Sequence, residues 1–363
     1  MTSEMAGGPI EVTGAPPIAG LRFRRIDRGR DFPAIAEVIA AADVHDGVEW
    51  IPSAEALRHD WEGSQGMDLD EDVLVAEIDG SMIGFVDHSW RVRGECVFHQ
   101  LEPVVRPEHR CRGIGGALLR WAEARVAAGL AAGDLGASTG LPHVLAGWAD
   151  LEVAAAVSFA GGAGYVVDGY SILMTRSLAD LIPDLPLPDG LEVRPVWPED
   201  HRRIWDADTE AFQDHRDPAV RTDADYERWF SQPDLDTSRW VVAWDGAEVA
   251  GSSMNFVWPE ENARLGLRRG WLEHISVRRP WRKRGLGSAL IARSLAVFRN
   301  LGLEEAALGA DAENLTGAVR IYEAHGFRRT RTGAGYRKPI EVPAGPTLGA
   351  VPADVVDRDL NSS

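Results

Sequence analysis

The order of structural signals along this chain repeats once, and a duplication of that length leaves few folds open to it. Leu21-Arg22-Phe23-Arg24-Arg25 alternates as a strand, and Leu191-Glu192-Val193-Arg194-Pro195 does the same 170 positions later. Each opening leads into an amphipathic helical pattern, residues 31–42 and 198–212, and then a shorter one, 54–61 and 223–229. Two strands about a tight turn follow: 73–78 and 82–86 around Asp79-Gly80, then 240–244 and 249–256 around Asp245-Gly246. A further strand, 97–105 or 271–277, runs into a basic glycine-rich turn and a long helix, 115–127 or 287–298. A strand, a helix, a glycine-aromatic pair and a final strand close each half.

The break between the copies is legible as well. Leu181 to Gly190 reads LIPDLPLPDG, and three prolines in ten residues can neither continue a helix nor donate to a sheet. The reading is therefore a domain over 20–178, a stiff linker over 179–190 and a second domain over 191–340. Residues 1–19, rich in Gly, Pro and Ala, and the tail 341–363 are expected to be disordered.

Composition excludes several classes of function. The net charge of −18 argues against a nucleic-acid partner, which needs clustered Lys and Arg; its first meaning is solubility, and its field would also attract cationic ligands such as amines. No apolar run is long enough to span a bilayer, so no membrane partner is expected. Two cysteines, Cys96 and Cys111, make no disulfide framework and no spaced metal cluster. A metal-free cytoplasmic protein, monomeric or homodimeric, is the expectation. Eight of the thirteen tryptophans lie between Trp197 and Trp281; most should be core, with a minority left to line a pocket.

The turn before each long helix carries the strongest chemical signal. It reads Arg282-Lys283-Arg284-Gly285-Leu286-Gly287-Ser288 in the second half and Arg110-Cys111-Arg112-Gly113-Ile114-Gly115-Gly116 in the first. Arg282 lies 172 positions after Arg110. Successive N–H groups at a helix N-terminus, glycines that admit close approach and flanking cations together form an anion cradle, and a pyrophosphate fits it well. No G-K-[ST] follows, and no βαβ crossover precedes, so neither common nucleotide fingerprint applies.

Arg-x-x-Gly-x-Gly between a strand and a helix resembles motif A of the GCN5-related N-acetyltransferases (GNAT). The stretch Asn314-Leu315-Thr316-Gly317-Ala318-Val319-Arg320-Ile321-Tyr322-Glu323-Ala324-His325-Gly326-Phe327 resembles their motif B. The likeness covers nearly all of 190–338 and, more weakly, 20–178, a layout similar to tandem members of the family. It implies an α/β fold of two tandem GNAT-type domains, each a mixed, mostly antiparallel twisted sheet flanked by helices. It also implies acetyl-CoA as co-substrate, transfer to the primary amine of a small molecule, and no metal.

The resemblance assigns residues. Arg282, Lys283, Arg284, Gly285, Leu286, Gly287 and Ser288 would hold the pyrophosphate, the backbone of Ile275, Ser276 and Val277 the pantetheine arm, and Asn314 would meet that arm. Arg110, Arg112, Gly113 and Gly115 would do the first half's share. Tyr322 is the expected acid for the leaving thiolate. Glu273 is the expected base; alternation puts it on one face with Ile275 and Val277, and its neighbour His274, the rival base, on the other. In the first half Phe159 replaces the tyrosine, Leu101 the glutamate, and the asparagine is missing, so that copy is expected to be non-catalytic. A CoA-binding regulatory module without turnover is the competing reading, and a larger acyl donor stays open.

Overall fold

The computed structural model describes residues 8–312 and 317–340. The first half runs β1 (Leu21–Arg25), α1 (Phe32–Asp46), α2 (Ala54–Glu62), α3 (Leu69–Asp72), β2 (Val73–Ile78), β3 (Ser81–Arg93), β4 (Cys96–Val105), α4 (Ile114–Ala131), β5 (His143–Asp150), α5 (Ala154–Gly162) and β6 (Val166–Ser177). The second half runs β7 (Glu192–Val193), α6 (His201–Phe212), α7 (Asp223–Phe230), β8 (Val241–Asp245), β9 (Glu248–Phe256), α8 (Pro259–Leu265), β10 (Arg269–Val277), α9 (Leu286–Asn300), β11 (Glu305–Asp311), α10 (Ala318–Ala324) and β12 (Arg328–Pro339). The duplication holds element by element, with two differences: the short α3 precedes β2 only in the first half, and α8 fills what is a direct β3–β4 connection there.

All strands belong to one twelve-stranded sheet in the order β1-β2-β3-β4-β5-β12-β6-β11-β10-β9-β8-β7. The two final strands have crossed over. β12 pairs with β5 of the first half, β6 with β11 of the second, and β6 and β12 pair with each other. Two tandem α/β domains thus share a continuous sheet. Its parallel pairs are β4–β5 and β10–β11. The second pairs only over Arg269–Trp271 and Glu305–Ala307 before the strands diverge.

Helices follow from apolar spacing. On α9, Leu286, Ala289, Leu290, Leu295 and Phe298 recur at three- and four-residue steps and are buried. On α4, Ile114, Ala117, Leu118, Ala122, Val126 and Leu130 do the same. Asp79 and Gly80 both have positive φ, as a two-residue type I′ hairpin requires. In the second hairpin the turn is shifted by one residue, with positive φ at Gly246 and pairing from Asp245 to Glu248.

Two expectations need correction. Residues 8–19 are not a disordered lead: the Ile10 N–H bonds to the Phe23 carbonyl at 2.7 Å, and Val12 is buried in the first core. Apolar residues among the prolines let an extended segment lie along the sheet. The alternating strand expected over 191–195 shrinks to two residues, because Pro195 cannot donate to the ladder. The tail 341–363 lies outside the described residues.

Beneath α4, Asp72, His88, His99 and His143 form a buried chain across β3, β4 and β5, with links of 3.1, 3.1 and 2.9 Å. Burial and the flanking rings His88 and His143 push His99 down to about 3 from its ordinary 6.5. The folded protein holds this ring neutral, whereas the unfolded chain protonates it near 6.5. Its contribution to stability is therefore complete above pH 6.5 and lost as pH falls from there towards about 3. At pH 5 the ring 15N shifts of His99 should read neutral in the native state, and thermal stability should decline through that window. A charged His99 in the folded protein at pH 5 would contradict this account.

Candidate active site

Each basic turn adopts the same backbone. Lys283 and Gly285 have φ of 59° and 84°, and Cys111 and Gly113 have 57° and 86°. An alternation with left-handed residues aims consecutive N–H groups at one point. A lysine held at positive φ is a strained residue, and such strain concentrates where backbone binds something. Gly285 and Gly113 cap their helices without any side-chain hydrogen bond, leaving the first-turn donors free of a capping acceptor.

The arginines that open the turns do not point into them. Arg282 bonds to the Val277 carbonyl at 2.8 Å and to Asp214; Arg110 bonds to the Val105 carbonyl at 3.0 Å and to Asp46 at 2.7 Å. Their guanidinium groups tie the turn to the preceding strand and to the segment after α6 or the last residue of α1. Leu286 is buried in the core, so it can offer a ligand only its backbone. Arg284 reaches the Asp189 carbonyl at 3.3 Å.

Gly287 and Gly285 stand open. A methyl group on Gly285 would meet no atom within 4 Å, and one on Gly287 only Val277 Cγ2 at 3.8 Å. In the first half the same two positions have closer neighbours, at ordinary van der Waals distance. A methyl on Gly113 would touch Pro16 at 3.4 Å, and one on Gly115 would touch the Phe159 ring at 3.7 Å.

β10 carries the base candidates, and it is not a regular strand. Leu272 pairs with Asn255 and His274 with Met254, so Glu273 is the extra residue of a bulge. The bulge breaks the alternation expected from sequence. Glu273 takes a hydrogen bond from Trp258 Nε1 at 3.2 Å, and His274 bonds Asp208 of α6 at 2.9 Å and stacks on Trp229. Through Phe256, which contacts both Trp229 and Trp258, the two side chains share one aromatic face. The Glu273 carboxylate reaches solvent, yet desolvation by its surroundings raises it above the usual carboxylate value, partly offset by the Trp258 N–H and by His274.

Beyond the bulge, Ile275 and Val277 turn their side chains into core clusters, and Ser276 bonds Ser252 at 3.1 Å. In an antiparallel strand alternate peptide groups point away from the partner. Here they point from β9 into the opening between β10 and β11. Tyr322 of α10 shares a core with Leu272 and Ile291 and meets Phe327 edge-on at 6.3 Å. Burial pushes its phenol up to about 12. Asn314 lies outside the described residues.

In the first half, Leu101 is buried core. Glu102 faces Asp87 across β3 and β4; burial raises both carboxyls, and Glu102 raises Asp87 further. Between the halves an apolar groove of about 200 Å³ is lined by Trp50, Trp148 and Trp271. A second cavity, about 370 Å³, is crossed by ion pairs of Arg337 and Arg216 with Asp168. Trp205, Trp240, Trp244 and Trp281 are core, while Trp229, Trp258 and Trp271 surround the bulge.

Sequence reasoning missed Asp208, Arg221 and Trp258. Asp208 sits 66 positions before His274, on another element. Only the helical spacing of Asp208 from Ile204, Trp205 and Ala211, which Asp206 lacks, hinted that it faces inward.

Residues 200–327 match the acetyltransferase (GNAT) family, and residues 70–158 an acetyltransferase (GNAT) domain. A mycothiol acetyltransferase of Salinispora arenicola is 30% identical over 325 residues, covering 87% of this chain and 97% of that one. One from Thermobispora bispora is 32% identical over 241 residues, covering 65% and 75%. The crystal structure of a GCN5-related N-acetyltransferase from Sphaerobacter thermophilus aligns with a TM-score of 0.64 at 26% identity, over 90% of this chain and 98% of that one. A tandem GNAT protein from the clavulanic acid biosynthesis pathway shares the fold, with a TM-score of 0.62 at 16% identity over 90% and 99%.

Proposed function

The chain belongs to the GNAT acetyltransferase family and is an N-acetyltransferase, and on that premise we propose that its second half acetylates the primary amine of a small molecule in a ternary complex. Acetyl-CoA supplies the activated acyl group. The observation that carries this reading is the open, glycine-lined cradle at Gly285 and Gly287 beside a strand opening that holds both Glu273 and the backbone of 275–277.

The chain's own groups divide the work. Backbone N–H groups from Lys283 to Ser288, at the positive end of α9, bind the pyrophosphate, and Lys283 and Arg284 add charge at its rim. A peptide N–H near Val277 polarises the thioester carbonyl. Glu273, its basicity raised by desolvation, accepts the proton that leaves the amine. Tyr322 Oη–H donates to the sulfur as the C–S bond breaks. The tryptophans around the bulge and the net negative charge favour a cationic acceptor with apolar surface. The first half is read as a scaffold whose loop at Glu49 and Trp50 walls the groove beside Trp271; Glu49 is tied there by Arg269 at 2.6 Å.

The test is release of free CoA thiol from acetyl-CoA with spermidine, glucosamine, kanamycin, short peptides and the unacetylated form of the thiol that the relatives' name specifies. Release above background with one amine is the expected result. Glu273→Gln should then lower kcat by about 100-fold with the acetyl-CoA KM nearly unchanged. An inert wild-type protein, or a Glu273→Gln variant at full rate, would sink this reading or this assignment respectively.

A further inference from the structure

His274 is held by more contacts than a structural histidine on a strand needs. Its Nδ1 lies 2.9 Å from Asp208 Oδ2, and the same oxygen accepts from Arg221 at 2.8 Å. Asp208 is fully buried on α6. Burial alone would raise its carboxyl, but His274 and Arg221 outweigh that and hold it below the ordinary value. An ionised carboxylate only accepts, so Nδ1 carries the hydrogen, and the lone pair of the neutral ring sits on Nε2. The ring cannot easily swing away, because Trp229 stacks on it at 4.8 Å and Phe212 packs at 5.1 Å. Arg221 is itself clamped over Trp205 and Phe212 at 4.9 and 5.4 Å.

The charged groups facing the ring are few and come from named elements: Asp208 from α6, Arg221 from the segment after it, and Glu273 from its own strand. His215 stands behind Phe212, and α7 offers only the Trp229 indole. The side chain keeps 20% exposure, enough to meet the cleft. By the 172-residue offset the first half has Ala36 and Glu102 at the two positions. The pair exists only in the half that also has Tyr322.

We propose that Asp208 is a positioning residue that fixes His274 with Nε2 as its basic nitrogen, and that His274 so held is the final acceptor of the amine's proton after Glu273. The inference rests on the acyl-transfer reading above. The amine nitrogen forms the C–N bond as the C–S bond of the thioester breaks, and the leaving sulfur takes the Tyr322 proton, which solvent returns to the phenol before the next turnover. The amine gives its own proton to Glu273, and the carboxylic acid passes it to His274 Nε2, restoring the carboxylate. The Asp208 charge offsets the imidazolium, and the ring releases its proton to solvent between turnovers. Such a relay keeps Glu273 ready for the next amine, which the bulge achieves by bringing two successive residues to one side of the sheet.

The test compares His274→Gln, Asp208→Asn and the double variant, with acetyl-CoA as donor and spermidine, glucosamine and kanamycin each as acceptor. His274→Gln leaves the Asp208–Arg221 pair in place, so it stays informative if Asp208→Asn unfolds. Expected are a fall in kcat of about 10- to 100-fold for each single variant, an acetyl-CoA KM within about twofold, and no further loss in the double. Long-range 1H–15N spectra should show the Nδ1–H tautomer in the wild type and its loss in Asp208→Asn, and kcat should fall with that loss while the acetyl-CoA KM does not move, a split that a merely structural aspartate would not give. His274→Gln at full rate in an active background, or an Nε2–H tautomer in the wild type, overturns the proposal alone. A wild type inert towards all three amines sinks the acyl-transfer reading, and this role with it.

Discussion

Tyr322→Phe is expected to lower kcat about 100- to 1,000-fold while leaving acetyl-CoA affinity within about twofold. Phenylalanine keeps the edge-on contact with Phe327 and the place beside Leu272 and Ile291, so the fold has no reason to respond. What is lost is one Oη–H. Burial holds that phenol neutral until about pH 12, so at any working pH it meets the departing sulfur as a donor. A thiolate with an ordinary value near 8.5 gains from such a donor only once the C–S bond is breaking. The loss should therefore fall on kcat and spare binding. Stopped-flow turnover with equilibrium binding of acetyl-CoA separates the two. A variant that binds poorly but turns over normally at saturation would show that Tyr322 merely packs against the ligand.

A carboxylate placed in the cradle gives the second large effect. Gly287→Glu should raise the acetyl-CoA KM at least about 100-fold, or about 2.7 kcal/mol of binding, while thermal stability holds or rises. The side chain has room, since the nearest atom to its Cβ is Val277 Cγ2 at 3.8 Å. A glutamate in the first turn of a helix also suits the dipole. The same charge that favours α9 opposes a pyrophosphate. Gly115→Glu, at the matching place in the first half, should leave kinetics unchanged if that half serves as the proposed scaffold, where Phe159 stands beside Gly115 and Pro16 beside Gly113. Titration calorimetry of the wild type should accordingly give one acetyl-CoA per chain. Two equivalent sites, or a Gly115 variant as damaged as the Gly287 one, would contradict the assignment.

What could be read from sequence was whatever depends on local backbone. The glycines of the turns, the Asp79-Gly80 hairpin and the apolar rows of α4 and α9 are each set by residues a few positions apart. The bulge at Glu273 was hidden, because strict alternation is the only register a strand pattern can suggest and an inserted residue leaves no mark in it. Asp208 stayed hidden because its meaning comes from His274, reached only through tertiary packing. α8 begins with Pro259 and two glutamates and spans barely two turns, too short for periodicity to register. The crossing of β6 and β12 left no trace either. In a duplicated chain each final strand fits the edge of its own copy and that of the other equally well, so the pattern does not say which it joins.

That crossing bears on how such a chain can change over generations. β6 is encoded with the first copy but backs β11, one of the two strands that frame the reaction cleft. β12 is encoded with the second copy and closes the sheet of the first. A first copy acting as the proposed scaffold can accumulate substitutions at positions such as Phe159 and Leu101, yet it cannot be deleted, since its last dozen residues are part of the other copy's framework. Divergence in sequence and permanence in the gene are, for this half, consequences of the same pairing.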